Sequence, residues 1–209
     1  MLDNVDIYLV FDLFLLLLIG MGPKIALVPF LEATQGMEAE TQRKIANTMV
    51  RTAVGTALLL AVLGWFLMRL LHFTPGAANV AGGIVLLLIS LAMVASPAKK
   101  HDPNAESGNQ DPQKMAIYPL AVPYLLNPAG IAALVIISDN IDSLLLGAIV
   151  IGIVLLVGLI DFAVFRNMDK LSKHLDPSRL VITEVVFGVL LTALAVQLMV
   201  DGLTALGII

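Results

Sequence analysis

The chain has 209 residues, of which 59% are apolar and 13% charged, about half the charged share of a soluble domain. A net charge of −4 without any basic stripe or aromatic platform argues against nucleic acid as a partner. The absence of cysteine rules out disulfides, thiolate metal sites and Cys nucleophiles. This is the composition of a polytopic membrane protein.

The N-terminus, MLDNVDIYLV, carries Asp3 and Asp6 where a signal peptide would carry Lys or Arg, so the first apolar segment is expected to be a retained span. Crossing a bilayer takes about 20 mostly apolar residues. Six stretches meet that need: 7–33, 45–71, 77–97, 115–138, 141–165 and 180–206. The longest polar stretch, 98–114, is expected to be a flexible linker between two three-helix halves, 1–97 and 115–209.

The first span is interrupted at Gly22-Pro23 and carries Lys24 directly after the break. Proline removes a rung of the helix ladder, and a lysine in the bilayer is costly enough to be a functional candidate. The fourth span, YPLAVPYLLNPAG, has Pro119, Pro123 and Asn127-Pro128; its first half is expected to be bent or uncoiled. Ten of the twelve basic residues fall around the connections after spans one, three and five. The positive-inside rule then makes those loops cytoplasmic and both termini external.

Placing GPKIALV (22–28) over NPAGIAA (127–133) aligns Pro23 with Pro128, and the same offset aligns Gly83 with Gly188. Three spans per half is odd, so the second half would be inverted. The expected fold is therefore an all-α integral membrane protein of six transmembrane helices in two inverted three-helix repeats, with spans one and four broken. Backbone freed at such breaks is tolerated only inside protein or beside a wet cavity. Two restarting half-helices would present positive dipole ends suited to an anionic group. On this reading the substrate-binding candidates are Gly22, Pro23, Lys24, Asn127, Pro128 and Gly130.

At 1.5 Å per residue, Lys24 and Asp161 come to about 25 and 27 Å below one surface, and Glu184 to a comparable level. Pairing of Lys24 with Asp161 or Glu184 is one expectation, which makes the two acids ion-coupling candidates. The alternative is that Lys24 snorkels and the acids sit at helix ends. Asp12 stands either with Arg69 or among headgroups. Ser90, Thr192 and Gln197 are expected to bridge helices, while Thr48, Thr52 and Thr56, on one face of span two, either line a path or pack.

These segments resemble the MarC family of inner-membrane proteins. YPLAVPYLLNPAGIAALVIIS (118–138) is similar to its PLAxP…GPG region, NVAGGIVLLLISLAM (79–93) to its Ala-Gly-Gly third span, and GVLLTALAVQLMVDG (188–202) to its last span. The family's Asn-Pro in span one and Gly-Pro in span four are exchanged here. The resemblance implies a LysE-like transporter, related to carriers of small neutral amino acids.

The expected function is thus an ion-coupled secondary transporter that exports or exchanges amino acids or other small carboxylate-bearing solutes. Its partners would be a small-molecule substrate and membrane lipids, with homo-oligomerisation open and no cofactor or metal. An enzyme is disfavoured, since His72, His101 and His174 lie in connecting segments and no HExxH, GxSxG or Walker loop occurs. A non-transporting scaffold or accessory subunit of an export or lipid-assembly complex is the alternative.

Overall fold

The computed structural model describes residues 7–95, 111–168 and 177–209, and these are helical with no strand among them. Most of the expected linker therefore lies outside the described residues. Its last four positions are described: Asp111 accepts a hydrogen bond from the Gln113 N–H at 3.0 Å and so caps a single turn, α5 (Pro112–Met115).

The first span is two helices in sequence, α1 (Ile7–Met21) and α2 (Pro23–Ala33). Gly22 between them is extended at φ −81°, ψ 167°, and Pro23 opens α2 at the position where a missing N–H costs nothing. The two run on as one apolar stretch of 27 residues. Helix α3 (Ala39–Leu71) has 33 residues, about 50 Å at the standard rise. That exceeds the roughly 30 Å hydrocarbon thickness, so its polar first turns extend the expected span 45–71 backwards. An exposed Glu40–Lys44 ion pair of 2.7 Å lies there. Helix α3 stops at His72 in the left-handed region (φ 55°, ψ 36°). Helix α4 (Pro75–Ala95) then starts behind Thr74, whose hydroxyl accepts from the Ala77 N–H at 3.2 Å.

The fourth stretch departs most from a straight span. Ala116–Leu125 is a wide-turned, irregular segment in which Tyr118 (φ −135°, ψ 126°) and Val122 (φ −135°, ψ 123°) are extended. Each precedes a proline, Pro119 and Pro123, whose ring excludes helical backbone at the residue before it. Helix α6 (Pro128–Asp139) then leaves at 70° to the preceding segment. Helices α7 (Leu144–Arg166) and α8 (Pro177–Ala205) complete the chain. Among the described residues five helical runs are long and apolar enough to cross a bilayer, six if the bent pair counts as one.

The larger core joins α1, α2, α3, the irregular segment, α6 and α7 around fully buried residues such as Leu17, Met49, Leu125, Leu134 and Phe165. Phe30 of α2 meets Phe165 of α7 edge to face at 5.1 Å. A second cluster, including Leu86, Met93, Ala129 and Ala195, lies where α4 and α8 pack together. Glycines let that pair approach closely. A Cβ on Gly83 would fall 2.6 Å from Met199 Cγ and 2.7 Å from the Ala195 carbonyl oxygen. One on Gly188 would fall 2.7 Å from Val94 Cγ2 and 3.1 Å from the Ser90 oxygen. Thr192 donates to Ser90 across the same seam at 2.9 Å. Gln197, expected to bridge helices, instead donates to Asp201 of its own helix at 2.7 Å.

Candidate functional site

The two proline breaks meet. Pro23 has no N–H, so the Ile19 carbonyl four residues earlier loses its helical donor. The Asn127 side chain supplies it, its Nδ2 donating to the Ile19 oxygen at 2.8 Å. The extended backbone at Gly22 also interrupts the ladder at Gly20, whose carbonyl accepts from the Asn127 backbone N–H at 2.9 Å. The Asn127 Oδ1 accepts from the Gly130 N–H at 3.0 Å, capping α6. Asn127 is 1% exposed, so all three bonds are sheltered. Nor would a side chain fit between the two breaks. A Cβ on Gly130 would collide with the Gly20 carbonyl, and one on Gly20 with the Gly130 backbone.

This changes the expected picture of two half-helix N-termini facing a watery pocket. The positive end of α6 abuts the carbonyl end of α1, so its dipole is matched by protein. Asn127 is committed on both faces of its amide to the backbone. The start of α2 differs: Gly22 provides no side-chain cap, and Lys24 in the first turn is exposed. Gly22 is buried and Pro23 half-buried. A Cβ on Gly22 would meet the Leu18 carbonyl of the preceding turn.

Asp161 of α7 is fully buried, and neither carboxylate oxygen has a hydrogen-bond partner among the described residues. Three residues earlier, Gly158 presses on Val54 of α3, and a Cβ there would lie 3.7 Å from Met21 Cε at the end of α1. Asp161 thus lies one turn along α7 from a contact with α3 and with the last residue of α1. The expected Lys24–Asp161 pair is not formed, because the lysine faces outward from α2 while the carboxylate faces the core. Glu184 lies on α8, but its side chain is outside the described residues, so the other pairing falls there too. Asp12 is exposed. Arg69 stacks over the Trp65 ring, 5.3 Å from its centroid.

A cleft of about 900 Å³ opens between α3, α4, the irregular segment and α6. Of the substrate-binding candidates read from sequence, only Pro128 lines it. Its hydroxyls come from Thr52, Thr56 and Tyr118. Its α4 wall is built from Val85 and from Ala77, Ala78, Ala81 and Gly82, small residues that hollow out the space. The run GAANVAGG was the available sequence signal, since small residues at helical spacing leave room where larger ones would fill it.

Apolar helices of this length, one of them sharply bent and sealed at its break by another's backbone, define a polytopic α-helical membrane protein. Residues 7–206 match the model of the MarC family integral membrane proteins. The chain belongs to that family. It is similar to a UPF0056 membrane protein of Methanocaldococcus jannaschii, 29% identical over 189 residues, covering 88% of this chain and 90% of the relative. It is 23% identical over 194 residues to a UPF0056 membrane protein of Pyrococcus horikoshii, covering 91% and 94%. With the UPF0056 inner membrane protein YhgN of Escherichia coli strain K12 it shares 24% identity over 188 residues, covering 90% and 92%. No solved structure matches the chain.

Proposed function

We propose that this protein is a secondary transporter of the inner membrane that exports or exchanges amino acids or other small carboxylate-bearing solutes. Its two halves are an inverted repeat, both termini face outward, and the protein is not an enzyme. The observation that carries the reading is the meeting of two proline-interrupted helices at Gly20, Asn127 and Gly130. Broken helices in equivalent positions of two repeats are where such carriers hold their cargo. The contacts of α4 and α8 support the repeat. Gly83 meets Ala195 and Met199 while Gly188 meets Ser90 and Val94, and the offset that relates Gly83 to Gly188 relates each of the other pairs. A two-fold axis between the helices generates that reciprocity. The inner-membrane assignment draws on the name of the Escherichia coli relative.

The uncapped first turn of α2, with Lys24 beside it, is where a carboxylate finds free N–H donors and positive charge. Asp161, an acid sealed in the core without a partner among the described residues, is the group assigned to ion coupling. Purified protein in vesicles loaded with a panel of amino acids and small carboxylates tests this. The expected result is selective loss of one class, driven by an imposed proton or sodium gradient and uncoupled in Asp161→Asn. Flux that is absent, or indifferent to every gradient, overturns it. The second reading is an accessory membrane subunit, favoured by the structural commitment of Asn127; it requires that the purified protein move no solute alone.

A further inference from the structure

We infer that a groove between α3 and α7 seats an anionic phospholipid, its phosphate held by Arg51 and Arg166 and one acyl chain lying along the helices. The inference stands whether or not the protein carries a solute. The groove, of about 390 Å³, is apolar along Val54, Gly55, Leu58, Leu155 and Leu159, and Arg51 and Phe162 also line it. Its walls are two regular membrane-crossing helices, whose backbone groups are satisfied within each helix, so lipid can lie against them. The two helices run antiparallel. Ser138, shortly before the start of α7, lies against Gly64 of α3, whereas Gly158, well along α7, lies against Val54. Arg51 therefore comes level with Phe162, at one end of the groove.

That end carries the charge. Arg51 is exposed. Arg166 ends α7, and the tilt of helical side chains toward the N-terminus carries its guanidinium back over the Phe162 ring, 5.5 Å from the centroid. Among the described residues neither arginine has an ion-pair partner. No acid lines the groove, and Asp161, next to Phe162, is turned into the core. Helix α7 has 23 residues, about 35 Å at the standard rise and enough to cross roughly 30 Å of hydrocarbon. Its last turn therefore sits at headgroup level, on the side that the basic residues mark as cytoplasmic. A phosphate there meets two guanidiniums, whose planar forks suit its oxygens. The chain hanging from it enters the apolar part, where Gly55 makes room: a Cβ on it would meet nothing within 4 Å. A free anion would use the arginines alone, and a zwitterionic lipid chiefly the apolar wall. An anionic lipid uses both.

The test is native mass spectrometry of the purified protein titrated with phosphatidylglycerol or with phosphatidylcholine. Phosphatidylglycerol should bind more tightly, by about 5-fold for each arginine and about 30-fold for the pair. Arg51→Gln and Arg166→Gln together should erase that preference. Lys114→Gln removes an exposed cation outside the groove and should leave it intact. Gly55→Phe puts a ring into the open groove and raises helix propensity, so the variant should fold yet bind phosphatidylglycerol about tenfold more weakly. Equal affinity for the two lipids overturns the inference, as does a preference that survives the double variant or falls equally in Lys114→Gln. Undiminished binding by Gly55→Phe overturns it too, since the arginines would then hold the phosphate without the groove. Lipid-free dimers that Gly55→Phe dissociates would put a second copy in the groove and likewise overturn it.

Discussion

Asn127 stands in for two backbone donors that α1 lost at its own break, and it does so from more than a hundred residues away. Truncating it to alanine strands the Ile19 carbonyl and the Gly130 N–H, each at a cost of about 1–3 kcal/mol for a buried unsatisfied group. Asn127→Asp keeps the acceptor for Gly130 but turns a second acceptor onto the Ile19 carbonyl and buries a carboxylate, so it should destabilise at least as much as alanine; thermal unfolding in detergent measures both. At Gly20 and Gly130 the constraint is steric. Alanine at either position drives a methyl into the facing backbone and should lower the melting temperature strongly. Gly152→Ala is the control: nothing lies within reach of its Cβ, so it should gain up to about 1 kcal/mol from helix propensity. Asp161→Asn replaces a carboxylate that has no hydrogen-bond partner among the described residues by a neutral group of the same shape. It should melt no lower than wild type while losing gradient dependence. A drop of about 3–5 kcal/mol would instead reveal a buried charge partner.

Single helices show where local chemistry was readable and where it was not. Proline acts on its own turn and on the residue before it, so the breaks at Gly22-Pro23 and Asn127-Pro128 and the uncoiled start of span four were legible from the residues. The 70° angle at Asn127 was not, because it depends on what α6 packs against. Depth along a helix was readable by counting, but rotation about the axis was not. Lys24 and Asp161 were therefore placed at similar levels, yet point to different surroundings. The cleft escaped because small apolar residues advertise packing and vacancy alike. Between elements, the α4–α8 seam gives a paired expectation: Gly83→Val and Gly188→Val meet equivalent neighbours. Each should cost about 1–3 kcal/mol by overpacking, and the two losses should be similar. Unfolding midpoints of the two variants measured side by side would expose any asymmetry between the halves.

Across the whole molecule, ten of the twelve basic residues gather at the ends of spans on one side of the expected topology. Reporter fusions at the two termini should therefore be active in the same compartment, outside the cytoplasm. Opposite locations would remove one crossing and with it the inverted arrangement. The bonds from Asn127 to Ile19 and Gly20, together with the Ser90–Thr192 contact, carry a further consequence. They join residues before position 96 to residues after position 110 without using the connecting peptide. A gene cut within that interval would yield two separate polypeptides, each carrying half of every such bond. Produced in one cell, the fragments should reassemble and be purified together by a tag on either one.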